Sequence, residues 1–385
     1  MRNRILSVIL LMSVLFVCPV QKNIVYAEIA APELSCKSAI LIEASTGRVL
    51  HEKDADLPLP MASVTKIMTM LLIMEEIEAG TLKPEDMVTA SERAKSMGGS
   101  TIFLDTGESM SVHDMLKGIA VASANDACVA MAEHIAGSEE AFVKRMNEKA
   151  LTLGMKNTSF KNTNGLDAEG HYSSARDIAI MSAALLKYPK IKEYTTIWMD
   201  SLREGKFQLA NTNKLIRFYK DANGLKTGST NQALYCLSGS AERDGMQLVA
   251  VIMAAPTSPK RFSDASKLLD YGFANFQLLP VIEKNEVLEE IFVEKGSLKK
   301  VPLIGASQYR YLCSKNEIPK IEKVININED ISAPILKGET LGNVRITVDG
   351  TEVGNVELVA AHSVEKLGYF SMVSILFVNL FSSIC

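Results

Sequence analysis

At 385 residues the chain is long enough for two or three domains, and with 47% hydrophobic and 22% charged residues its composition is that of an ordinary globular protein. A net charge of -4, with no extended run of Lys or Arg, excludes a dedicated nucleic-acid-binding face. The five His and six Cys form no CxxC pair and no metal-ligand spacing, so the thiols read as small buried hydrophobes and neither a metal nor another cofactor is expected.

In chain order, Arg2 and Arg4 precede an apolar run over residues 5–20, and Val25-Tyr26-Ala27 puts small residues at the -3 and -1 positions of a cleavage site. Residues 1–27 therefore read as a secretory signal peptide, with a retained membrane anchor as the alternative. Two short strands around a turn follow at 39–42 and 49–50. A proline-punctuated loop, Leu57-Pro58-Leu59-Pro60, then runs into a helix whose residues 67–74 are apolar at seven of eight positions, so that helix should be buried. It ends near Gly80, and residues 98–108 read as loop with a short extended piece at 102–104. Helices are expected from Ser111 to Ala122, 126–135, 139–153 and 174–186. Strands return at 224–229, 234–241 and 246–254, the last two joined by an Asp244-Gly245 hairpin turn, and a helix near 263–276 closes the unit.

This order of strands, helices, strands and helix predicts an α+β fold, one antiparallel sheet flanked by helices with an all-helical subregion. After Phe276 short alternating stretches at 287–293, 324–327, 344–348 and 356–359 predict a small β-sandwich-like domain over 277–361. The uncharged segment 367–385 keeps its serines and its asparagine on one half of a helical wheel, so 362–385 reads as a membrane-anchoring tail, spanning or surface-lying.

Three small motifs carry chemistry. Ser63 and Lys66, three residues apart at the start of the buried helix, share a face where free backbone N–H groups and the positive end of the helix dipole can stabilise an oxyanion. Alone, the pair reads more readily as an N-cap serine followed by a lysine that reaches solvent. Ser123-Ala124-Asn125 stands between two helices, and Lys226-Thr227-Gly228 lies on a strand. A serine becomes a nucleophile only when a base takes its proton, and a lysine is such a base only if burial and a neighbouring cation, here Lys226, lower its pKa. Ser123 could relay the proton to a leaving amine, and Asn125 could orient a substrate backbone.

Together the three motifs resemble those of the low-molecular-mass penicillin-binding proteins that are serine-type D-alanyl-D-alanine carboxypeptidases, with further agreement at residues 162–166, 171–175 and 270–273. The resemblance spans about 38–276 and implies a β-lactamase/transpeptidase-like fold, with residues 28–276 as the catalytic domain. It implies Ser63, Lys66 and Ser123 as catalytic residues and Asn125, Lys226, Thr227, Gly228, Ser229 and Arg261 as substrate-binding residues. The substrates would be peptidoglycan stem peptides, with β-lactams also accepted. The N–H groups of Ser63 and Ser229 would form the oxyanion hole, and Arg261 would assist carboxylate binding unless it is a solvated surface arginine. A β-lactamase, a transpeptidase and a silent wall-binding scaffold are the rival readings. The first lacks the expected Glu-x-x-x-Asn between Ser123 and Lys226, and the last has no need of the four motif serines and lysines together.

Overall fold

The computed structural model describes residues 30–368; the signal-peptide reading and most of the anchoring-tail reading fall outside them. Strands β1 (Ser38–Glu43) and β2 (Val49–Lys53) form the first hairpin. A 3-10 turn, Ala62–Thr65, leads straight into α1 (Lys66–Glu78), which is buried from Lys66 to Met74 as its apolar sequence requires. The small hairpin β3 (Met87–Thr89) and β4 (Ser109–Ser111) encloses α2 (Glu92–Lys95). Then come α3 (Val112–Lys117), a π-helical turn at Gly118–Ala122, α4 (Asn125–Ala136), α5 (Glu139–Thr152) and α6 (Ala175–Leu186). Ser91, Ser111, Ser138 and Ser174 each accept the amide three residues on, which sets where α2, α3, α5 and α6 begin.

After α7 (Lys192–Thr195), β5 (Met199–Leu202) and β6 (Phe207–Ala210) form a hairpin absent from the sequence reading. Then follow α8 (Leu215–Phe218), β7 (Ala222–Thr230), β8 (Leu234–Arg243), β9 (Met246–Ala255) and α9 (Ser258–Asn275). The main sheet is antiparallel in the order β2-β1-β9-β8-β7. Side-chain alternation divides its central strands between two cores. Ile40, Ile42, Val249 and Val251 face the helical lobe that contains α1 and α6, whereas Ala39, Leu41, Leu248 and Ala250 pack with Leu268 and Leu269 of α9. The sheet is therefore covered on both faces, and β7 is left as an edge.

Strand β10 (Phe276–Ile282) leaves α9 without a break and pairs with β13 (Tyr309–Ser314). The remaining strands, β11 (Val287–Phe292), β12 (Lys300–Gly305), β14 (Ile321–Ile327), β15 (Thr340–Val348) and β16 (Thr351–Ala360), make a sheet in the order β11-β12-β16-β15-β14 around a third core that includes Val301, Leu303, Val344, Ile346 and Leu358. The molecule is thus an α+β unit with a central sheet flanked by helices, followed by a smaller β-rich region. Among the described residues no helix is long and apolar enough to cross a membrane.

Two expectations are corrected. Residues 102–104 are not extended: Phe103 has φ 54, because the buried Asp126 carboxylate accepts the amides of both Ile102 and Leu104 and curls the chain around itself. Helix α9 starts at Ser258 rather than near Ser263, since the Thr257 hydroxyl accepts the Lys260 amide and Pro259 suits the first helical turn.

Candidate active site

Ser63 lies in the 3-10 turn and Lys66 is the first residue of α1, so the tight turn brings the two side chains together within one winding. Lys66 Nζ is 2.9 Å from Ser63 Oγ. It also donates to Asn125 Oδ1 at 2.6 Å and to the Asn164 carbonyl at 2.6 Å. The lysine is fully buried, and burial pushes its pKa down to about 8, with Asp126 opposing. Two of its three partners are carbonyl oxygens that can only accept. A neutral amine that donates to both therefore turns its lone pair toward the Ser63 hydroxyl.

Ser123 closes the π-helical turn in a left-handed conformation, φ 65, and is buried. Among the described residues nothing hydrogen-bonds its hydroxyl. The Asn125 amide is engaged at both ends, accepting from Lys66 and donating to the Gly98 carbonyl at 2.7 Å, so in this state it ties α4 to the loop between α2 and β4.

Lys226 is also buried, and its Nζ donates to the Thr227 carbonyl at 3.1 Å. Its pKa is lowered well below the ordinary lysine value, first by burial and then by the charges of Lys66 and Arg261. The sequence reading expected burial and Lys226 together to depress Lys66. Burial lowers Lys66, and the like charges of the two buried lysines disfavour holding both at once. Thr227 Oγ1 donates to Thr212 Oγ1 at 2.7 Å. At Gly228 the edge strand presses on the 3-10 turn that carries Ser63: a Cβ there would stand 2.8 Å from the Met61 carbonyl and 2.9 Å from the Ser63 nitrogen. Ser229, the next residue, is exposed on the same edge.

Arg261 is not a surface arginine. From the first turn of α9 its guanidinium donates to the Gly228 carbonyl at 3.0 Å and to the Cys236 carbonyl at 3.2 Å, between the rings of Tyr235 and Phe262. Burial lowers its pKa to about 10. It braces the Lys226-Thr227-Gly228 strand from behind.

Sequence reasoning left several contributors without a role. The Asn164 carbonyl is a ligand of Lys66 through its backbone, which residue type cannot signal. Gly165 has φ +90, and a Cβ there would lie 1.9 Å from the Ala62 carbonyl oxygen, so the 162–166 segment reaches its place only with glycine. Glu139 accepts from the Thr163 amide and hydroxyl and supports the same segment from beneath. Cys36, Cys128, Cys236 and Cys313 are buried free thiols, and among the described residues no three His, Cys, Asp or Glu side chains cluster as a metal site requires.

The profile of the D-alanyl-D-alanine carboxypeptidase family matches residues 26–257, and that of the penicillin-binding protein 5 C-terminal domain matches residues 276–366. The chain is 48% identical over 339 residues to D-alanyl-D-alanine carboxypeptidase DacF of Bacillus subtilis, covering 87% of each protein. Penicillin-binding protein 5 from Haemophilus influenzae has a similar structure, with a TM-score of 0.71 and 31% identity, over 88% of this chain and 100% of that one. Penicillin-Binding Protein D2 from Listeria monocytogenes, in its ampicillin-bound form, matches with a TM-score of 0.58 and 31% identity over 63% of this chain and 100% of its own.

Proposed function

Since the chain belongs to the D-alanyl-D-alanine carboxypeptidase family, serine-type hydrolases that act on peptidoglycan stem peptides, we propose that it removes the terminal D-alanine through an acyl-enzyme on Ser63. The observation that carries this reading is the set of contacts at Lys66 Nζ: two obligate acceptors and the Ser63 hydroxyl. Neutral Lys66 takes the Ser63 proton as Oγ attacks the penultimate carbonyl. The oxyanion forms against the N–H groups of Ser63 and Ser229. Ser123 passes the proton to the departing amine, free D-alanine leaves, and water then hydrolyses the ester to return Ser63 and release the shortened peptide.

In this reading Lys226 and Thr227 receive the substrate's terminal carboxylate along the β7 edge, with Gly228 leaving room and Arg261 bracing the strand. Asn125 guides the peptide backbone once the substrate competes for its amide. An anion beside Lys226 favours the ammonium form there. Two buried lysines resist holding two charges, so substrate binding would place the charge on Lys226 and leave Lys66 neutral when a base is needed.

A β-lactam offers a carboxylate near a strained amide and fits the same contacts; the Listeria relative is known in its ampicillin-bound form. Its leaving amine stays tethered after ring opening, so the adduct should outlast the peptide intermediate. The test is a synthetic stem peptide ending in D-Ala-D-Ala together with penicillin. Free D-alanine from the peptide and a trapped adduct on the Ser63 peptide are expected, with both lost in Ser63→Ala. Rapid multiple turnover of penicillin without an adduct would favour the β-lactamase reading.

We also propose that residues 28–276 form the catalytic unit and 277–361 an appended β domain, and that the protein is exported by residues 1–27 and held at the outer face of the membrane by 362–385. Deleting 367–385 should release activity into the soluble fraction; a truncated enzyme still in the membrane pellet after signal cleavage would refute the anchor.

A further inference from the structure

The residue before the nucleophile is held in an unfavourable backbone region. Ala62 has φ 49, a left-handed conformation that costs a non-glycine residue about 1 kcal/mol or more and persists only where surroundings enforce it. Its carbonyl oxygen is enclosed. Gly165 closes on it from one side, and the Thr65 hydroxyl donates to it at 2.8 Å. Thr65 Oγ1 in turn lies 2.8 Å from His171 Nε2, and His171 Nδ1 accepts the Lys161 amide at 3.0 Å.

These contacts set every proton. An amide nitrogen only donates, so Nδ1 carries no hydrogen and Nε2 does. The Thr65 hydrogen goes to Ala62, so the hydroxyl oxygen accepts from Nε2. The chain from the Lys161 amide through His171 and Thr65 to the Ala62 carbonyl is therefore fully matched, and Thr65 and His171 are both buried. Burial keeps the imidazole neutral, with its pKa lowered to about 4.

The Ala62 carbonyl and the Ser63 N–H belong to one planar trans peptide and point in opposite directions. Clamping the carbonyl on the His171 side thus aims the Ser63 N–H away from it, and among the described residues no acceptor takes that N–H. We propose that His171 is a positioning residue for acylation: acting through Thr65, it sets the Ala62–Ser63 peptide plane and so the direction of the N–H that meets the oxyanion. The proposal rests on the reading of Ser63 as nucleophile.

The experiment uses the full chain and a fluorescent penicillin, resolving the dissociation constant before acylation from the first-order acylation rate, and follows the rate against pH. Removing an oxyanion donor costs about 10²- to 10³-fold, and misdirecting one costs part of that, so His171→Phe and Thr65→Val should each slow acylation by about tenfold or more. The dissociation constant and the midpoint of the rise with pH, set by Lys66, should stay at wild-type values. His171→Gln, which keeps a donor at the Nε2 position, and Thr65→Ser, which keeps the hydroxyl, should recover most of the rate. Wild-type acylation rates in folded His171→Phe and Thr65→Val would overturn the proposal. So would a loss in which affinity and pH midpoint move along with the rate, because that marks a collapsed site. If His171→Phe does not fold, Thr65→Val carries the test. Failure of the Ser63 reading would show differently, as a wild-type enzyme that forms no adduct on Ser63.

Discussion

Acylation by this enzyme should be strongly pH-dependent on the alkaline side of neutrality. The Lys66 amine, lowered to about 8 by burial, would be about one-tenth neutral at pH 7 and about nine-tenths neutral at pH 9, so the efficiency of penicillin acylation should rise about tenfold over that interval. The burial that causes this disfavours the ammonium by about 3 kcal/mol relative to a solvated lysine. That efficiency reports the free enzyme, whereas the first-order rate at saturating ligand reports the complex. If the ligand carboxylate sits beside Lys226 as proposed, it would hold that lysine charged, and the midpoint should move to lower pH. Stopped-flow measurement of both quantities across the range separates the two limbs. Lys66→Arg, always protonated, should lose acylation throughout. An efficiency that is flat from about pH 6.5 to about pH 9, or a Lys66→Arg enzyme that acylates normally, would refute Lys66 as the base.

Two further outcomes follow from the packing around the site. Gly165→Ala should lose acylation and lower the denaturant midpoint, since a left-handed φ alone costs about 1–3 kcal/mol and the added methyl overlaps the Ala62 carbonyl; wild-type unfolding would contradict the close approach. His171 has its folded pKa lowered to about 4 from an ordinary 6.5, so the unfolded chain binds the extra proton first as pH falls. Stability should be complete above about pH 6.5, decline by about 3 kcal/mol in total down to about pH 4, and lose nothing more from this group below that. His171→Gln should flatten that segment of the acid-denaturation curve.

Much of this was legible in the chain because the strong periodic signals lie beside the chemistry. The apolar run after Lys66 announces α1, the Asp244-Gly245 turn announces β8 and β9, and Ser111 three residues ahead of Asp114 marks the start of α3. The hairpin β5–β6 was not visible, since four residues per strand are too few for an alternation to stand out, and β5 has its two exposed positions side by side. Phe103 was misread because the carboxylate that bends it belongs to Asp126, on another element. The start of α9 could have been found: a threonine followed two residues later by a proline is a helix-entry signal in its own right. What no residue pattern reveals is a partner supplied by the main chain. The Asn164 carbonyl at Lys66 and the Gly228 and Cys236 carbonyls at Arg261 are of that kind.

Arg261 has a bearing on where the working enzyme can be cut. Gly228 and Cys236 are registered opposite one another on β7 and β8, and the guanidinium that ties their carbonyls comes from α9, on the face of the sheet away from α1. The family profile stops at residue 257, before that helix begins, and all three motifs lie upstream of it. A fragment ending there would contain every motif yet leave the edge strand β7 unbuttressed and one face of its sheet bare. A portion of this chain that keeps that edge strand braced therefore has to extend into α9, which carries Arg261 and none of the three motifs.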